Sequence, residues 1–238
     1  MVRNLVCCLV ILAVVSSVSN AAVLANWKLN EGSGSVAYDS SGNGADIALD
    51  YGVGSWIGGS FNFDGTQRFV LDRSVTTFFD MSKDFTFSAT INASPAGGTQ
   101  CIFSTNDGEN YYLGSRNFGI YNGKLYFEAA GIAGMYNGNI SVLDGRMHNV
   151  EVEFYAATGT IKTFVDGSPD NQSSAFGGMA ETPDFYTFHI GSNLFIDGYG
   201  LYSPFVGTMS NVVITPEPVT MAMLGLGALG LLRKRSKV

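Results

Sequence analysis

Two glutamates, Glu151 and Glu153, stand two apart in the run Asn149-Val150-Glu151-Val152-Glu153, where polar and apolar residues alternate strictly. In a strand, alternation puts Asn149, Glu151 and Glu153 on one face, roughly 7 Å apart along the chain. Two carboxylates on one face can flank a glycosidic bond, one as acid/base and one as nucleophile. The same residues also read as the wet face of an ordinary strand. Asn149 takes no part in covalent chemistry, because a carboxamide cannot form the glycosyl ester that a carboxylate nucleophile forms.

A second group offers oxygen. Asp39 and Asn43 lie in Asp39-Ser40-Ser41-Gly42-Asn43-Gly44, with Glu31 and Asp64 in neighbouring segments. Carboxylate and amide oxygens beside the carbonyls of a glycine-rich turn are the hard donors that calcium takes. Against this stands the Asx reading, in which Asp39 and Asn43 cap the turn by bonding to backbone N–H groups. A third group is aromatic: Tyr111, Tyr112, Tyr121, Tyr136, Tyr199 and Tyr202 fall in glycine-rich segments. A tyrosine ring stacks on a sugar face while its hydroxyl bonds to the sugar, though a half-buried loop tyrosine needs no ligand. His148 and His189 are too separated to suggest zinc without further ligands. Cys101 has no sequence partner for nucleophilic chemistry.

The elements that must position these residues are strands. Phe85, Phe87, Ala89 and Ile91 alternate with Thr86, Ser88, Thr90 and Asn92. Similar alternation runs through Leu125 to Ala129, Val150 to Phe154 and Tyr186 to Ile190, each predicting a strand with one wet face. Asp64-Gly65, Asn122-Gly123, Asp144-Gly145, Thr158-Gly159 and Asp166-Gly167 supply turns between antiparallel neighbours. No helical stripe interrupts them. The prediction is an all-β, antiparallel β-sandwich occupying residues 22–215 as one domain.

The two ends are of another kind. Arg3, the apolar run Leu5 to Val15 and Ser19-Asn20-Ala21 have the order of a secretory signal peptide over residues 1–21. Cys101 is then the one cysteine of the exported segment, which excludes an internal disulfide. Residues 22–215 carry nineteen acidic side chains against eight basic ones. A surface of that sign excludes nucleic acid as a partner. At the C-terminus, Pro216-Glu217-Pro218 precedes the uncharged stretch 219–232 and the basic tail 233–238, with Arg233, Lys234, Arg235 and Lys237. As a helix the stretch rises ~21 Å, a short transmembrane helix against a hydrocarbon core of ~30 Å, its basic end held in the cytoplasm.

Two resemblances rest on these residues. The C-terminal order resembles the PEP-CTERM sorting signal of bacterial envelope proteins, which implies an exosortase-type membrane protease as partner. It also implies transient anchoring in the membrane, then a place at the cell surface or in an exopolysaccharide-containing matrix. The blocks AVLANWKLNEGSGSVAYDSSGNGADIAL, SFNFDGTQRFVL, DFTFSATINA, GKLYFEAAG, LDGRMHNVEVEFYAATGTIKTFVDG, FHIGSN and FVGTMSNVVI resemble laminin-G-like, concanavalin A-like domains. That resemblance implies a jelly roll of two stacked antiparallel sheets. It implies no activity, since lectins, glucanases and adhesive modules share the fold.

Glucanases of this fold carry Glu, Asp and Glu at alternate positions of one strand, and here Asn149 matches the nucleophile. Relatives also place His before this strand, so the resemblance implies a hydrogen-bonded structural role for His148. Some relatives bind calcium through the DSSGNG loop with a late Asp, where this chain has Ser210 and Asn211. The expectation is therefore a non-enzymatic carbohydrate-binding or adhesive module, with extracellular polysaccharide as partner and calcium as the one candidate cofactor. A divergent glycoside hydrolase using Glu151 and Glu153 and a purely structural matrix protein are the alternatives.

Overall fold

Phe85–Ala93 shows how the chain builds its sheets: every second residue from Phe85 to Ala93 is buried, and Thr86, Ser88, Thr90 and Asn92 between them are half-buried. The computed structural model describes residues 23–71, 83–106, 115–129, 133–173, 187–196 and 200–216. The expected signal peptide, Glu217, Pro218 and all of 219–238 lie outside the described residues. Every regular element described is a strand. In chain order these are β1 (Ala25–Trp27), β2 (Val36–Ala37), β3 (Ile47–Tyr51), β4 (Trp56–Ile57), β5 (Ser60–Asp64), β6 (Arg68–Leu71), β7 (Phe85–Ala93), β8 (Thr99–Asn106) and β9 (Arg116–Tyr121). They continue as β10 (Lys124–Ala129), β11 (Ala133–Ser141), β12 (His148–Tyr155), β13 (Thr160–Val165), β14 (Ser168–Gln172), β15 (Thr187–Ile190), β16 (Leu194–Ile196), β17 (Gly200–Tyr202) and β18 (Val206–Pro216).

Two antiparallel sheets form a sandwich. The first runs β14-β13-β12-β7-β18-β5-β4, with β1 also on β18; the second runs β11-β10-β9-β8-β15-β6-β3-β2. Two hairpins follow directly from turn chemistry. Asn122 and Gly123, both at positive φ, join Tyr121 to its partner Lys124, and Asp166 and Gly167 join Val165 to Ser168 in the same way.

The core is largely aromatic. Phe87 of the first sheet meets Phe103, Phe118 and Phe188 of the second, with ring centroids 4.4, 5.9 and 6.4 Å apart. Trp27 stacks on Phe188 at 5.6 Å and donates its indole N–H to Ala45 O at 2.6 Å, so its one polar atom is satisfied in the interior. Each such ring pair adds about 0.5–1.5 kcal/mol beyond area burial.

Asp170 ties the sheets together at one edge. Its Oδ1 accepts from Asn139 N and Ile140 N of β11, 2.7 Å each, and its Oδ2 from Thr163 Oγ1 of β13 at 2.8 Å. A Cβ at Gly138 would run into Asp170 Oδ2, so the clasp requires glycine there. On the opposite side, Trp56 Nε1 donates to Gly34 O at 2.9 Å beside the two-residue edge strand β4.

One expectation is corrected. The strands of the first sheet have a half-exposed face, but β8, β9 and β15 of the second are buried almost throughout. Thr187, His189 and Tyr126, expected on wet faces, are 7, 1 and 0 % exposed. Period-two alternation separates polar from apolar faces; whether the polar face meets water depends on what lies over it.

Candidate ligand-binding face

The register of β8, β9, β10 and β15 assembles a row of polar side chains. Phe103, Phe118 and Phe188 turn inward, so alternation sends Ser104, Asn117 and His189 to the other face of the second sheet. Strand pairing places them side by side: Glu128 opposite Asn117, Asn117 opposite Ser104, and Ser104 opposite His189. Two residues along, Asn106 lies opposite Thr187.

Hydrogen bonds hold the row. Asn106 Nδ2 donates to Asn193 O at 2.5 Å and lies 3.1 Å from Asn193 Oδ1, while Ser104 Oγ donates toward Ser192 O and Asn193 O, 3.1 Å each. Thr187 Oγ1 donates to Asn106 O at 3.2 Å and lies 2.7 Å from His189 Nε2, which places the Nε2 proton between ring and hydroxyl. Asn117 Oδ1 is buried and has no hydrogen-bond partner among the described residues. A buried carbonyl oxygen left unpaired costs ~1–3 kcal/mol, so a donor arriving there gains more than it would from a solvated group. The array consists of amide, hydroxyl and imidazole groups, 0–2 % exposed and bonded mainly to one another and to the Ser192 and Asn193 carbonyls. Sequence reading missed Asn106, Ser104, Asn117 and Asn193, because Ser104-Thr105-Asn106 looks like loop composition and only strand register brings it beside Asn117 and His189.

Glu151 and Glu153 lie on β12, on the outer face of the other sheet. Their cross-strand neighbours are Ser88 and Phe164 for Glu151, and Thr86 and Lys162 for Glu153, none of them acidic. Glu153 Oε2 accepts from Tyr155 OH at 2.8 Å and lies 3.7 Å from Lys162 Nζ, which itself sits 4.7 Å from the centre of the Tyr155 ring. Asn149 is exposed on the same face. This surrounds Glu153 with a surface network.

Asp39 caps its loop. Its Oδ1 accepts from Asn26 N and Ser41 N, 2.9 Å each, and its Oδ2 from Ser41 Oγ at 2.7 Å and from Asn43 N and Ala45 N at 3.2 Å. Burial pushes its carboxyl pKa up, but bonds from the Ser41 hydroxyl and from the N–H groups of Asn26, Ser41 and Ala45 outweigh that and hold it below the ordinary carboxylate range. Asn43 donates Nδ2 to Val23 O and Leu24 O, at 2.8 and 3.0 Å. Glu31 Oε1 accepts from Tyr38 N, and its buried Oε2 has no partner among the described residues. Asp64 belongs to the β5–β6 turn, where Oδ1 accepts from Thr66 N and Oγ1. Among the described residues no group of three or more His, Cys, Asp or Glu side chains is placed to hold a metal. Calcium does not fit the Asp39 loop as it stands, since five donors already occupy the carboxylate.

The tyrosines divide. Tyr202 is 51 % exposed at the end of β17, and Tyr121 is half-buried at the end of β9. Tyr111, Tyr112 and Tyr199 lie outside the described residues, as does the side chain of Tyr136 on β11. Of the sorting residues, Pro216 is the last of β18, paired with Phe85; Arg233, Lys234 and Arg235 are among those outside. Cys101 is fully buried, and burial pushes its thiol pKa far up, leaving it inert as a nucleophile.

Comparisons with known proteins bear on the fold and the C-terminus. Residues 215–236 match the PEP-CTERM protein-sorting motif, so the chain has the mark of an exported protein processed at the membrane. No curated protein matches the chain. Among solved structures, it is similar to the binding domain of botulinum neurotoxin serotype D/C, at 13 % identity and a TM-score of 0.57 over 82 % of this chain and 48 % of that one. It is also similar to Trypanosoma rangeli sialidase in complex with sialic acid, at 18 % identity and a TM-score of 0.59 over 82 % of this chain and 30 % of the sialidase. The chain thus spans about half of the toxin domain and under a third of the sialidase. One neighbour is a binding domain and the other an enzyme, so the fold leaves activity open. The two-sheet sandwich agrees with the family match over residues 63–223, and the chain belongs to the concanavalin A-like lectin/glucanases superfamily.

Proposed function

We propose that the chain is a cell-surface or extracellular-matrix protein whose sandwich binds extracellular polysaccharide without cleaving it. In this reading residues 219–232 hold it in the membrane until an exosortase-type protease acts at Pro216-Glu217-Pro218. The reading rests on the unpartnered Asn117 Oδ1 in the row Asn106, Ser104, Asn117 and His189; the four residues are 0–2 % exposed, so a saccharide gains that oxygen only by displacing what covers it. A sugar hydroxyl is the kind of donor that such an oxygen lacks.

Binding of the exported chain to envelope polysaccharides, measured by calorimetry, tests this. Asn117→Ala removes the waiting acceptor and is expected to weaken binding by about 10- to 100-fold. Saturable binding that Asn117→Ala leaves unchanged would remove the row from the function. Absence of binding to any envelope polysaccharide would favour a purely structural matrix role.

A further inference from the structure

His148 lies between two carboxylates from two different turns. Its Nδ1 is 2.8 Å from Asp166 Oδ2 and its Nε2 is 2.9 Å from Asp144 Oδ1. Ionised carboxylates only accept, so both contacts are hydrogen bonds only when both ring nitrogens carry protons. The geometry is therefore that of an imidazolium bridging two anions. We propose that His148 latches the Asp144–Met147 turn onto the end of the first sheet while it is an imidazolium, and that loss of one ring proton opens the latch.

The two contacts differ in what else supports them. Asp166 is held to β12 independently of the ring: its Oδ1 accepts from Asn149 N, and its own N–H donates to Asn149 O, 2.8 Å each. Among the described residues, Asp144 has besides the ring only its own turn, through Arg146 N at 3.0 Å, and an exposed Arg146 guanidinium 3.9 Å away. A neutral ring therefore keeps its Nδ1 proton toward Asp166, and its Nε2 lone pair then faces the Asp144 carboxylate. That contact turns repulsive, and Asp144 is the partner free to swing into water.

The charged groups around the ring are Asp144 and Arg146 from its own turn and Asp166 from the β13–β14 turn; Ile91 and Asn92 of the facing strand β7 carry no charge. Burial pushes the imidazole pKa down, and the bonds to Asp166 and Asp144 push it up by more, so the ring titrates above its ordinary value. Both carboxyls are held below theirs, chiefly by the ring. The latch is closed below about pH 6.5 and opens as pH rises through the raised value. Asp144→Asn removes one of the two anions and with it part of what raises the ring.

Nuclear magnetic resonance of the full chain from about pH 5 to 9 tests the latch, the second histidine signal being distinguished with His148→Gln. His148 is expected to titrate above about 6.5. Through that midpoint, the backbone order parameters of Gly145 to Met147 are expected to fall from about 0.85 to below about 0.6, those of β7 staying constant. His148→Gln is expected to leave the turn mobile at every pH, and Asp144→Asn to lower the titration midpoint. A His148 midpoint at or below 6.5 would overturn the proposal. So would a turn whose pH response is the same in wild type and in His148→Gln, or a midpoint that Asp144→Asn leaves in place.

Discussion

Asp39 makes five hydrogen bonds at a loop entrance, and hydrogen bonds to a charged group contribute about 1.5–3 kcal/mol each before the cost of ordering the loop. Asp39→Ala leaves the N–H groups of Asn26, Ser41, Asn43 and Ala45 to find water or stay unpaired. A loss of about 2–4 kcal/mol in urea unfolding is expected, within the range of broken buried networks. Because its folded pKa lies below the ordinary carboxylate value, the stability Asp39 supplies is present above about pH 4 and is lost as pH falls through the folded value. The wild type is therefore expected to lose stability more steeply than Asp39→Asn between about pH 4 and 2, in unfolding curves taken across that range. Since the carboxylate is occupied, saturating calcium is expected to move Tm by less than about 1 °C; a concentration-dependent rise would show that the cation displaces those donors. Asp39 and Asn43 were visible in sequence as oxygen carriers. Which partners they meet was not, because Asn26 lies 13 residues before Asp39 and Leu24 lies 19 before Asn43, and only the bridge between Trp27 and Asp39 sets those segments side by side.

At the scale of elements, β12 and β7 were legible because each buries one face and leaves the other polar, so hydrophobic period and strand geometry coincide. Glu151 and Glu153 follow from that alternation, and their neighbours Ser88, Thr86, Phe164 and Lys162 describe a solvated sheet surface. The double variant Glu151→Gln, Glu153→Gln is expected to change stability by less than about 1 kcal/mol, surface ion pairs being weak, and to leave polysaccharide binding unchanged. Turnover of a β-glucan by the wild type that this variant loses would instead establish the hydrolase reading. The clasp between β11 and β14 was not legible. Nothing in the spacing of Gly138 and Asp170 announces their contact, yet Gly138→Ala drives a methyl into the Asp170 carboxylate. That substitution is expected to destabilise by about 1–3 kcal/mol, as overpacking does, in denaturant unfolding followed by tryptophan fluorescence.

For the whole molecule, the match of residues 215–236 to the sorting motif begins where β18 ends, at Thr215 and Pro216. In the proposed reading, cleavage at Pro216-Glu217-Pro218 leaves Val206–Thr215, and with it the pairing of β18 to β1, β5 and β7, in the mature protein. Mass spectrometry of the exported chain is expected to find a C-terminus between residues 215 and 218. A mature chain still ending at Val238 would contradict processing.

Local chemistry determined the strand class, the turns at Asn122-Gly123 and Asp166-Gly167, and the sorting motif, because each depends on residues within a few positions of one another. Composition determined the acidic balance of residues 22–215. Tertiary structure alone decided that Ser104, Asn117 and His189 form one buried row, and that His148 meets both Asp144 and Asp166. Those contacts join residues on different strands and turns. Register and sheet order, set by the packing of Phe87, Phe103, Phe118 and Phe188, determine which distant polar groups become neighbours.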